Sequence, residues 1–103
     1  ELALEASGNS TPFSTSSRPS QRPLLPPRVQ HRSNERWIAG SWYPLDEMAP
    51  VVQALVNQPG WSSGNALAVV LTGNGTAWGR KFVEAFEDSP ARAARLVVTY
   101  TVP

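Results

Sequence analysis

Asn57-Gln58-Pro59-Gly60-Trp61-Ser62-Ser63-Gly64-Asn65-Ala66-Leu67-Ala68-Val69-Val70-Leu71 is the stretch on which the reading of this chain turns. It joins a helical pattern to the most apolar strand pattern in the sequence. Upstream, Val51, Val52, Leu55 and Val56 fall at i, i+1, i+4 and i+5, one stripe of a short helix over 49–57. Pro50 suits the first helical position, where its missing N–H costs nothing. Ala49 is a poor N-cap, so Asp46 and Glu47 are expected to support the helix through its dipole. Pro59-Gly60 then ends it, with Gly60 taking the left-handed turn. Downstream, Leu67, Val69 and Leu71 line one face of a strand over 65–72, and Ala66, Ala68 and Val70 line the other. Two apolar faces predict a central strand covered on both sides.

Working outward, Glu1-Leu2-Ala3-Leu4-Glu5-Ala6 alternates with period two, a strand burying Leu2 and Leu4 on one face. Because the chain opens in mid-strand, it is expected to be the C-terminal part of a larger unit, its Leu face completed by preceding strands or another polypeptide. Residues 7–27 are rich in Ser, Thr and Pro and read as a long crossover loop, anchored by Phe13 and by Leu24-Leu25. Gly73-Asn74-Gly75 signals a turn. Two further strands are expected over 80–87, burying Phe82, Ala85 and Phe86, and over 95–102, with Leu96, Val98 and Tyr100 opposite Val97, Thr99 and Thr101.

Composition limits the alternatives. The 103 residues fit one small domain; 41% are hydrophobic and only 17% charged. A net charge of +1 creates no field that would draw nucleic acid or an anionic membrane. No apolar run is long enough to span a bilayer. With no cysteine there are no disulfides or thiolate zinc sites, and a single histidine, His31, argues against a His-based triad. Ten prolines and seven glycines favour turns over long helices. The expected fold is all-β: an antiparallel, jelly-roll-like β-sandwich with one short helix near 49–57, forming an incomplete domain over 1–103.

The block from Val51 to Leu71, centred on Pro59-Gly60-Trp61-Ser62-Ser63-Gly64-Asn65-Ala66-Leu67, resembles the C-terminal half of a secreted, jelly-roll-like β-sandwich module. That module is of the carbohydrate-binding or galactose-binding-like type found in large extracellular multi-domain proteins. The resemblance extends back to Glu5-Ala6-Ser7-Gly8-Asn9-Ser10 with Pro12-Phe13, and forward to Arg80, Glu84-Ala85-Phe86 and Leu96-Val97-Val98-Thr99-Tyr100. It implies a non-catalytic extracellular or cell-surface module used for binding or assembly. The chain departs from the pattern at Thr76-Ala77-Trp78-Gly79 and at Glu87-Asp88.

Candidate chemistry is sparse. Trp37, Trp42 and Trp78 are candidate platforms for stacking on sugar rings, a use that competes with plain core packing. Trp61 reads instead as a structural hinge between helix and strand. Asn9-Ser10-Thr11 and Asn74-Gly75-Thr76 are N-glycosylation triplets in expected loops. Glu87 and Asp88 are the candidate ligands for a structural calcium, which needs six to eight oxygens; no other cofactor is expected. The carboxylates Glu5, Asp46, Glu47, Glu84, Glu87 and Asp88 show no acid–base pair suited to glycoside hydrolysis, so no enzyme is expected. Arg18, Arg22, Arg28, Arg32 and Arg36 read as solvated loop arginines or contacts to a partner, not as a nucleic-acid stripe. The leading functional expectation is a structural or adhesive module in a larger protein or filament. The alternative is a carbohydrate-binding module using exposed Trp side chains.

Overall fold

The computed structural model describes residues 1–73 and 81–103. They contain strand β1 (Leu2–Leu4), a 3-10 turn (Pro19–Gln21), helix α1 (Ala49–Val56) and strand β2 (Val69–Leu71). The chain divides into two compact units, Glu1–Asn34 with Pro44–Thr76 and Glu35–Tyr43 with Ala77–Pro103.

The first unit is built around β1. It pairs antiparallel with β2 in the register Leu2↔Leu71, Ala3↔Val70, Leu4↔Val69. Its other edge is met by the chain from Pro23 to Val29, through isolated bridges Leu2↔Val29 and Glu5↔Leu24. Bonds from Ala6 N–H to the Pro23 carbonyl (2.8 Å) and from Leu25 N–H to the Leu4 carbonyl (2.9 Å) complete that edge. Pro23, Pro26 and Pro27 have no N–H, so this flank is stitched at points and forms no continuous ladder. Flanked on both sides, β1 buries all three of its residues, Ala3 included at 1% exposure.

Helix α1 packs against β1 and fills the core. Leu4, Leu25, Val51 and Leu55 form the buried cluster; Val29, Met48, Val52, Ala54, Trp61 and Leu67 pack around it. Only Val51 and Leu55, one turn apart, are fully buried on the helix, and Val56 is exposed, so the apolar stripe is narrower than its sequence pattern. Pro50 sits in the first turn as expected. No acidic residue supports that turn. Asp46 is engaged elsewhere, with His31. The left-handed residue after the helix is Gly64, at φ +90°, and not Gly60.

The β-sandwich expectation is overturned. The described residues contain a two-stranded antiparallel sheet and one helix, with no second sheet and no closure. Of the strand expected over 65–72, only Val69–Leu71 forms. It is an edge and not a central strand: Val70 is buried, while Leu71 is 58% exposed. Residues 81–87 and 95–102 form no strand. Alternating, β-prone residues make a strand only where a neighbour completes the ladder, and these two segments have none among the described residues. Leu2 and Leu4 are both buried, Leu4 in one cluster with Leu25 and with Val51 and Leu55 of α1.

Arg22 is the buried polar side chain that organises the 7–27 loop. Its guanidinium donates to Glu5 (2.9 Å), the Thr11 carbonyl (2.6 Å), the Pro12 carbonyl (2.7 Å) and Ser17 Oγ (3.2 Å). The Phe13 ring covers it, with its centroid 4.2 Å from the guanidinium carbon. Five fixed donors on one planar group let a chain without periodic structure satisfy its carbonyls. Phe13 therefore anchors the loop as a lid on Arg22, and Leu25 as a member of the core.

A second set of bonds ties residues 8–10 to the opening stretch. Asn65 Nδ2 donates to the carbonyls of Gly8 (2.9 Å) and Gly60 (3.3 Å). Asn9 Oδ1 accepts from Ala66 N–H (2.8 Å), and Ser10 N–H donates to the Ala66 carbonyl (2.9 Å). Gly8 and Gly60 meet so closely that a Cβ on Gly8 would lie 2.4 Å from the Gly60 carbonyl.

Candidate functional site

The second unit carries most of the exposed large apolar side chains among the described residues. Its 35–43 segment is closed by Tyr43, whose hydroxyl accepts the Ile38 N–H at 2.7 Å across a turn containing Gly40 at φ +83°. Trp37 stacks on Tyr43, centroids 5.3 Å apart and planes 10° from parallel. The Lys81 ammonium lies 5.2 Å from the Trp37 ring and donates to the Glu35 carbonyl. Arg95 holds its guanidinium 4.8 Å above the Trp42 ring and donates to the Ala91 carbonyl at 3.0 Å. Arg92 reaches Glu84 at 3.6 Å and Ser89 Oγ at 3.0 Å, bracing the 84–92 turns.

Around this frame the unit buries little. Ala93 is its one buried hydrophobic residue among those described, whereas Ile38, Trp42, Phe82, Val83, Phe86, Leu96, Val97, Val98, Tyr100 and Val102 are exposed. Phe82 is 82% exposed and Val97 85%. The buried positions expected of Phe82 and Phe86 are thus not found. Both belonged to a strand that does not form.

The candidate sugar platforms separate. Trp42 is 56% exposed, but one face of its ring carries Arg95. Trp37 is half-buried and engaged by Tyr43 and Lys81. Trp61 packs against the core of the first unit. Trp78 and Asn74 lie outside the described residues. Asn9 is exposed, and its side-chain carbonyl holds the Ala66 N–H. Glu87 and Asp88 are exposed side chains, and Asp88 N–H bonds the Ala85 carbonyl in a turn. No group of three His, Asp or Glu suited to holding a metal occurs among the described residues. None of the described helices is long and apolar enough to cross a membrane.

Two pairings escaped the sequence. Arg22–Glu5 was hidden because Arg22 sits in a row of arginines spread through a proline-rich segment; the available signal was Glu5, an acid directly after a buried apolar strand that requires a partner. His31 Nδ1 lies 2.6 Å from Asp46 Oδ1, joining the segments that lead into and out of residues 35–43. No family model, curated protein or solved structure matches this chain.

Proposed function

We propose that this chain is a non-catalytic extracellular module acting in the assembly of a larger protein or filament. The observation that carries the reading is the apolar surface of the second unit. Monomeric soluble proteins seldom leave a contiguous apolar area of more than a few hundred Å² open to water. Here Phe82, Val83, Phe86, Val97, Tyr100 and Val102 are all more than half exposed. Exposed apolar side chains in that number on one small unit are a mark of an interaction site. The extracellular placement rests on the resemblance of the block around Pro59-Gly60-Trp61 to secreted modules, and it is argued on that ground alone.

The test uses the chain secreted from a host cell, with its distribution measured between soluble medium and sedimentable extracellular material. The wild type is expected in the sedimentable fraction, and a V97S/Y100S/V102S variant in the medium. Equal distribution of the two would remove the reading. The exposure of Trp42 favours a second reading, carbohydrate binding. Under it, Trp42→Ala abolishes glycan retention on an affinity column while leaving the unfolding transition in place.

A further inference from the structure

The proposed assembly surface contains one segment able to recognise itself. Residues 96–102, Leu96-Val97-Val98-Thr99-Tyr100-Thr101-Val102, hold no charge, no glycine and no proline, and all but Leu96 are β-branched or aromatic. Among the described residues their backbone groups make no hydrogen bond, although neighbouring turns do. Neutral, β-prone stretches of six or seven residues with open backbone groups are the sequences most prone to pair with copies of themselves.

We infer that two copies of this chain associate by antiparallel pairing of residues 96–102 about a two-fold axis at Thr99. The inference deepens the assembly reading and rests on it, naming the partner as a second copy. The register follows from pairing the whole segment: centring on Thr99 is the one choice that gives all seven residues a partner while keeping side-chain parity. Centring on Thr99 sets Leu96 opposite Val102, Val97 opposite Thr101, Val98 opposite Tyr100, and Thr99 opposite itself. Directly opposed residues share a face. Leu96, Val98, Tyr100 and Val102 of both copies then form one continuous apolar face, and Val97, Thr99 and Thr101 form the other. A slip of one residue would interleave the threonines with the apolar set. Aromatic–β-branched and Thr–Thr cross-strand pairs are both favourable.

Charge fits the same partner. Arg95 falls just outside the paired segment, and a net charge of +1 gives two copies almost no mutual repulsion. The axis makes the contact isologous, so it closes at a dimer at this edge. A charged partner strand would have no charged residue on 96–102 to meet, which is why a second copy is favoured over an acidic or basic peptide.

The absence of cysteine makes the register directly readable with single-cysteine variants of the full chain. Opposed Cα atoms in an antiparallel pair lie roughly 4.5–5.5 Å apart, within the disulfide range of about 4.4–6.8 Å. T99C is therefore expected to cross-link to a dimer under mild oxidation. V97C alone should not, because its two copies lie roughly 14 Å apart along the strands, whereas V97C mixed with T101C should cross-link. Sedimentation equilibrium of the unmodified chain should show a concentration-dependent rise from the 11.2 kDa monomer towards twice that mass. A monomer at every concentration overturns the inference. So does V97C homodimerising as readily as T99C, which indicates parallel in-register stacking, and so does indiscriminate cross-linking at all three positions. If any of these occurs while the V97S/Y100S/V102S variant is still lost from the sedimentable fraction, the assembly reading stands with a different partner.

Discussion

Arg22 Nη1 and Glu5 Oε2 are 2.9 Å apart, with side chains only 4% and 11% exposed. An acid just beyond the end of β1 and a base seventeen residues later are thereby removed from water together. Taking two charges into the interior is costly, and the geometry offsets that cost with further bonds to the Thr11 and Pro12 carbonyls. The pair converts a Ser/Thr/Pro-rich loop into part of the fold. Arg22→Ala leaves Glu5 buried without a cation and two carbonyls without donors. We expect it to destabilise the first unit by about 3–5 kcal/mol, read as a lower denaturant midpoint. Arg22→Met with Glu5→Leu should recover a substantial part of that loss, because the stranded charge is gone.

The core and the sheet edge should respond differently to the same truncation. Leu4 is fully buried on β1, and Leu4→Ala is expected to cost about 2–5 kcal/mol. Leu71 on β2, the ladder partner of Leu2, is largely exposed, and Leu71→Ala should stay within about 0.5 kcal/mol of wild type. Equal losses at the two sites in chemical denaturation would contradict an edge position for β2.

Gly8 and Gly60 meet face to face, yet only one of them is required. A Cβ on Gly8 would lie 2.4 Å from the Gly60 carbonyl, and backbone would have to move. A Cβ on Gly60 meets only the Gly8 Cα at 3.8 Å. Gly8→Ala is expected to lower stability by at least the roughly 1–3 kcal/mol typical of overpacking. Gly60→Ala should be near neutral. Thermal unfolding of the two variants side by side decides the asymmetry.

Asn65 fastens this contact from the side through the Gly8 and Gly60 carbonyls. Asn65→Ala should cost about 1 kcal/mol. It should also speed amide hydrogen exchange at Ser10 and Ala66, which bond across the same junction. Unchanged exchange at those two amides would show that Asn65 is not the fastener.

Local features of the fold were legible in the sequence, and pairing was not. The spacing of Val51 and Leu55, with Pro50 before them and Pro59-Gly60 after them, marks an eight-residue helix almost to its ends. The alternation of Leu2 and Leu4 marks a strand. Trp61, read as a structural hinge, packs against the core. These succeed because side-chain periodicity acts within a few residues. Residues 81–87 and 95–102 alternate just as well and form no strand, because a strand exists only by virtue of a neighbour that period-two patterning does not name. Trp37 and Trp42 stood out in the sequence as aromatic candidates, but the cations seated on their rings, Lys81 on Trp37 and Arg95 on Trp42, did not.

What the sequence alone determined is therefore the set of local units: α1, a β-prone opening, a neutral 96–102 segment, and a chain without cysteine and with almost no net charge. The tertiary structure alone decided which of them are covered. It made β1 the centre by flanking it with β2 and a proline-broken edge, and buried Glu5 because Arg22 returns to meet it. It left Leu96 to Val102 open because no described strand of the chain pairs with it. Burial depends on what long-range contacts bring together, while periodicity records only which face could be buried.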